Sequence, residues 1–194
     1  MKIDRRLNLV QPIETDTGMI YLHSTPLSRE VWENYFLVLS KTYAAILSEG
    51  LTVIGGPPVA RMLLKRIAQN SGIWEGEAGV ERGLLAEIRR LTNVVMPTAS
   101  GWQTVPYEQV LGQGSIDEDD LAVAEGAIVF FICVSAVQRG RQNREKLMIL
   151  LNGVRAAWGA QNTSLDATGF AASLPTSTPD ENSGAKKPAS SVPH

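Results

Sequence analysis

The sequence predicts a mainly α-helical protein: a compact helical bundle with a β-hairpin at its N-terminus and a disordered tail at its C-terminus. Three observations carry this. Leu121–Val137 is the most apolar run in the chain and follows directly on Asp117, Glu118, Asp119 and Asp120, acids that suit the positive end of a helix. Earlier segments repeat apolar residues at helical spacing. From Pro175 onward the composition changes abruptly, which divides the chain into residues 1–174, the helical domain, and residues 175–194, the tail.

The hairpin comes first. Leu7–Val10 and Met19–Leu22 flank the turn-forming Thr15-Asp16-Thr17-Gly18, and Pro12 demotes the first arm to an edge strand or ends its pairing early. A lone hairpin is marginal in water, so it must pack on its own helices or join a partner's sheet. Capping signals at Thr25-Pro26 and Ser28 then introduce a helix over Val31–Leu47. Its core stripe is Val31, Tyr35, Val38, Leu39, Thr42, Ala45 and Ile46, widened by Trp32 and Phe36.

The segment TVIGGPP (Thr52–Pro58) reads as a turn whose proline pair starts a second helix at Val59, with Met62, Leu63, Ile67 and Ala68 on one face and Arg61, Lys65 and Arg66 off it. Ser71–Gly79 is a connecting loop. A third helix is expected over Val80–Val95, with Arg82, Arg89 and Arg90 on its exposed side, ended by Pro97–Gly101. A short helix runs from Val105-Pro106-Tyr107 to Leu111.

The central run is apolar on nearly every side, so as a helix it must be buried on nearly every side. A membrane-spanning helix needs ~20 apolar residues, and this run is shorter and carries Glu125 and Gly126 near its start. Ile128–Val134 is rich in β-branched and aromatic residues, as a buried strand would be, but length and the acidic start favour helix. Glu145–Trp158 forms a further amphipathic helix, and Ser164–Leu174 adds one short turn. The tail, PTSTPDENSGAKKPASSVPH, holds four prolines and one large aliphatic residue, too little to offset the entropy of ordering.

Composition excludes several function classes. The chain of 194 residues is 44% hydrophobic and 20% charged, so it can bury a core, and a formal charge of −2 without a basic block argues against nucleic-acid binding. Met1–Arg6 is charged and no signal peptide is expected; the single cysteine, Cys133, rules out a disulfide within the chain and fits a reducing cytoplasm. Cys133 reads as a core hydrophobe, the alternative being a reactive thiol. His23 and His194 are the only histidines, neither placed to serve Cys133, and no phosphate loop, dinucleotide fingerprint, nucleophile elbow or CxxC occurs. Gly112-Gln113-Gly114 falls short of a phosphate loop. Asp117–Asp120 lacks the spacing of a calcium loop and reads as capping. Arg139, Arg141, Arg144 and Lys146 form a solvated turn rather than a phosphate site. No catalytic residue, cofactor or metal site is expected.

The plan of hairpin, helical body and Pro/Ser-rich tail resembles the tail assembly chaperones of lambda-like long-tailed phages. The likeness is carried by RRLNLVQPIETDTGMIYLHSTPLSREVWENYFLVLS at residues 5–40, RAAWGAQNTSLD at residues 155–166 and SGAKKPASSVPH at the end. The resemblance implies a non-enzymatic protein of the host cytoplasm, without nucleic-acid or membrane partners, that coats the tape-measure protein, helps recruit tail-tube subunits and self-associates weakly. It also implies a ribosomal frameshift near the gene's end. Lys186-Lys187 is the candidate position, because AAA AAG codons after an Ala185 codon ending in A can slip; the alternative is that two lysines merely solubilise a tail. Two other classes remain open: a structural virion subunit, such as a tail-completion or head–tail joining protein, whose hairpin pairs between copies, and a small enzyme using carboxylates.

Overall fold

The apolar run does form a helix, and the rest of the chain packs around it. In a computed structural model that describes residues 8–15, 18–113, 116–137, 149, 152–153, 156–157 and 159–175, the order of elements is β1 (Asn8–Thr15), β2 (Gly18–Ser24), α1 (Arg29–Ser48), α2 (Thr52–Asn70), a π-helical turn (Val80–Leu85) leading into α3 (Ala86–Arg90), β3 (Thr92–Thr98), β4 (Gly101–Pro106), α4 (Tyr107–Gln113), α5 (Glu118–Val137), β5 (Gln161–Thr163) and α6 (Ala167–Ser173). Asp117 starts α5 as expected, its Oδ1 accepting the Asp119 N–H at 2.8 Å. Among the described residues no helix is long and apolar enough to cross a membrane.

The mainly-α expectation is overturned. The strands form one five-stranded antiparallel sheet in the order β4-β3-β2-β1-β5, and the fold is mixed α and β. The hairpin exists, in the register Leu9↔Ser24 to Thr15↔Gly18, but it is the middle of a sheet within its own chain. β2 pairs with β3 and β1 pairs with β5, so the hairpin as a whole is not free to pair between copies. Pro12, without an N–H, lies beyond Val10, the last residue paired to β5, and Gly159 approaches its ring where a Cβ would come within 3.1 Å.

The expected third helix over Val80–Val95 stops at Arg90, because its helical period ends at Leu91 and Thr92–Thr98 is β-branched and extended. Val94 and Val95 face opposite sides of the sheet, and both are fully buried. Helices cover one side, over Leu9, Ile13, Ile20, Leu22 and Val94; α6 covers the other, where Phe170 and Ala171 pack on Val10 and Val95. Asp166 caps α6, its Oδ1 accepting the Gly169 N–H at 2.7 Å. Tyr21 meets the Phe170 ring edge-on at 5.4 Å, and the Trp102 Nε1–H donates to Pro175 O at 2.9 Å.

Two further expectations need correction. α2 begins at Thr52 rather than Val59 and carries Pro57 and Pro58 inside it; its buried line is Ala60, Leu64 and Ala68, while Met62 is exposed. On α1 the stripe of Val38, Leu39, Thr42 and Ile46 is buried with Tyr43, but Phe36 is exposed. The Ser71–Gly79 segment is a loop that buries Trp74, with the Lys65 Nζ 5.4 Å from its ring centroid. Most of Glu145–Trp158, all of Arg139, Arg141, Arg144 and Lys146, the tail beyond Pro175 and Lys186-Lys187 lie outside the described residues.

The closest helix contact is between α2 and α5, and two glycines make it. A Cβ on Gly126 would lie 2.3 Å from Pro57 O, and one on Gly56 would lie 2.7 Å from the Phe130 ring. Each helix thus yields a side chain where the other presses in. Gly126→Ala should lower the melting temperature by several degrees, since the clash exceeds the ~1 kcal/mol that alanine otherwise gains in a helix. Gly112→Ala in α4, where nothing lies within 4 Å of the new Cβ, should leave it unchanged or slightly higher. Thermal denaturation of the two variants side by side checks both.

Candidate functional site

A charged group in the middle of an apolar helix has to be accounted for. Glu125 sits one turn into the buried part of α5, and its side chain keeps only 12% of its surface in solvent. Removing a carboxylate from water costs several kcal/mol unless donors replace the lost hydration. Two do, beside a further cation. The Tyr107 hydroxyl on α4 donates to Oε1 at 2.8 Å and Arg89 on α3 donates its Nε–H to the same oxygen at 3.1 Å, while Arg61 on α2 is an ion-pair partner, its Nε 2.7 Å from Oε2 but its N–H aimed at no acceptor. Tyr107 is itself buried, and burial, reinforced by the Glu125 charge, pushes its phenol far above the ordinary range, so the hydroxyl stays a donor.

Sequence reasoning named all four residues without joining them. Arg61 and Arg89 were placed on exposed helix faces and Tyr107 at a helix start, while Glu125 served only to exclude a membrane span. The signal was a lone acid within a run of otherwise apolar residues.

The second arrangement is an apolar face left in solvent. On α1, Phe36, Leu37 and Leu47 are exposed at 43%, 66% and 48%, and Trp32 stacks against Phe36 with centroids 5.1 Å apart. Phe36, Ser40, Ala44 and Leu47 recur at i, i+4, i+8 and i+11, so they run along one line of the helix. Ile54, beyond the α1–α2 turn, is also exposed, at 70%.

The residues singled out for chemistry fall elsewhere. Cys133 is buried in α5, and burial pushes its thiol up to about 12. His23 is buried under α6, its Nε2–H donating to Leu165 O at 3.0 Å, and Asn8 Nδ2 donates to the same carbonyl at 2.7 Å. Among the described residues no hydrogen bond joins Cys133 to His23 as a nucleophile to its base. Gly114 lies outside the described residues. Among those residues no group of three or more His, Cys, Asp or Glu could hold a metal ion.

Two measurements follow from these environments. Tyr107→Phe keeps the ring and removes only the hydroxyl, so it should cost about 1.5–3 kcal/mol, the range for a hydrogen bond to a charged acceptor. At this chain length that is a fall of roughly 3–12 °C in melting temperature, read by circular dichroism. The raised thiol of Cys133 favours the neutral folded form, so its contribution is intact below the ordinary thiol value near 9 and erodes as pH rises toward about 12. A thiol-specific disulfide reagent at pH 8 should therefore label native Cys133 no faster than the protein opens, and label it at once in concentrated guanidinium.

No family model, curated protein or solved structure matches this chain, so its function has to be read from its own residues.

Proposed function

We propose that this chain is a non-catalytic tail assembly chaperone of a long-tailed phage, acting in the host cytoplasm by binding the long helical tape-measure protein and helping to recruit tail-tube subunits. The observation that carries the proposal is the exposed apolar line of α1. Fully burying a side chain such as Phe36 or Leu37 stabilises by about 1.5–3 kcal/mol, a gain the free protein forgoes. Apolar residues left in water along one line suit a partner helix that offers its own apolar stripe at the same period. α1 spans 20 residues, a contact of roughly 30 Å. Many copies binding weakly along one extended partner would add through multivalency.

One feature favours a second reading, a structural virion subunit. β4 ends the sheet, and its outer edge meets no strand among the described residues, so it could pair with another copy. The two readings differ in fate, because a chaperone leaves the finished particle and a subunit stays.

Co-expression with the tape-measure protein should raise that partner's soluble yield severalfold. Phe36→Asp and Leu37→Asp, both at exposed positions, should keep the melting temperature and lose the effect. An unchanged yield, with the protein recovered in purified particles, would replace the chaperone with the subunit.

A further inference from the structure

We propose that Arg61 and Arg89 form an anion site that takes a carboxylate; resting on the function proposed above, that carboxylate is an Asp or Glu side chain on the helical partner. Two guanidiniums face one buried carboxylate, which leaves an excess of one positive charge at the site. Glu125 lies closest to the Nε of each, 2.7 Å from Arg61 as an ion pair and 3.1 Å from Arg89 as a hydrogen bond. Among the described residues, the Nη groups of neither arginine have a hydrogen-bond acceptor. Both side chains remain more than a third exposed.

The other ion-paired arginines among the described residues are each matched one to one with an acid on their own helix. Arg90 gives Nε and Nη2 to Glu87 at 2.6 and 2.8 Å, and Arg29 is paired with Glu33 at 2.7 Å on its own helix. Among the described residues, only at Glu125 do two arginines from different elements share one carboxylate.

The chemistry of the guanidinium selects the ligand. Its fork of parallel N–H bonds matches a planar carboxylate, and an arginine such as Arg89, already held at Nε by a hydrogen bond, loses less side-chain freedom on binding than one swinging in solvent. Glu125 is a positioning residue: it orders both guanidiniums and at the same time partly neutralises them. That double role gives the proposal a signature that a purely structural ion pair lacks.

The test follows the arginine Nε–Hε resonances of the full-length chain by NMR, at low ionic strength, during separate titrations with glutarate and inorganic phosphate. Arg61 and Arg89 should shift saturably with glutarate while Arg29 does not follow. Arg89→Gln should weaken glutarate binding about tenfold or more, and Arg89→Lys, which keeps charge without the fork, should weaken it less. Glu125→Gln raises the site's charge from +1 to +2 and should tighten binding severalfold.

Equal shifts at all three arginines would overturn the site, as would a folded Glu125→Gln variant that loses binding together with Arg89→Gln. If Glu125→Gln does not fold, the order of Arg89→Gln and Arg89→Lys decides alone. Phosphate binding without a glutarate response would overturn the carboxylate assignment. Phe36→Asp should leave the glutarate titration untouched, so failure of the co-expression test with an intact titration removes the partner and keeps the site.

Discussion

A carboxylate buried in a helical layer dictates what can stand beside it. Glu125 lies on the least exposed helix of the fold, and its oxygens are met from α2, α3 and α4. Those elements come from distant parts of the chain, so a single side chain fixes their mutual placement more narrowly than apolar packing would. Hydrophobic contacts tolerate sliding, whereas a buried charge does not. The neighbouring residue completes the constraint, because Gly126 lets the α2 backbone come close enough for Arg61 to reach. Polar registration and the small-residue contact therefore act on the same helix turn.

Much of the helical layer was legible in the sequence. The α1 stripe, the acidic start of α5 and the burial of most of Leu121–Val134 follow from local spacing. The sheet was not legible beyond its first hairpin, for a physical reason. A strand with one wet face alternates apolar and polar residues, but β3 is covered on both sides, so Val94 and Val95 are both buried and no alternation appears. Next to a helical run, such a segment looks like more helix. β4 hid differently, as a six-residue edge strand ending in Pro106. β5 has three residues, and pairing with β1 across the length of the chain is all that makes it a strand.

The candidate sites divide the same way. Periodicity identifies which side of a helix is apolar but not whether anything covers it. Trp32 and Phe36 extend the α1 stripe equally in sequence, yet Trp32 packs against the core and Phe36 stands in solvent. The Glu125 network is assembled from residues 18 to 64 positions apart, and no local pattern could join them. What the sequence did offer was an unexplained charge, and that charge marks the site.

The pairing of Asn8–Val10 with Gln161–Thr163 has a consequence for how the protein is made. The first strand of the sheet gains its outer neighbour only when the last strand has emerged, and the face built on Val10 and Val95 gains its cover only with α6. In topological terms the fold is closed by its final elements, a long-range pairing that is slow to find. Chains that stop short of residue 161 keep an open strand edge and a bare apolar face, both invitations to aggregate. The order of synthesis thus sets when these surfaces are covered: the outer edge of β1 and the face of Val10 and Val95 are both closed only after α6 has emerged.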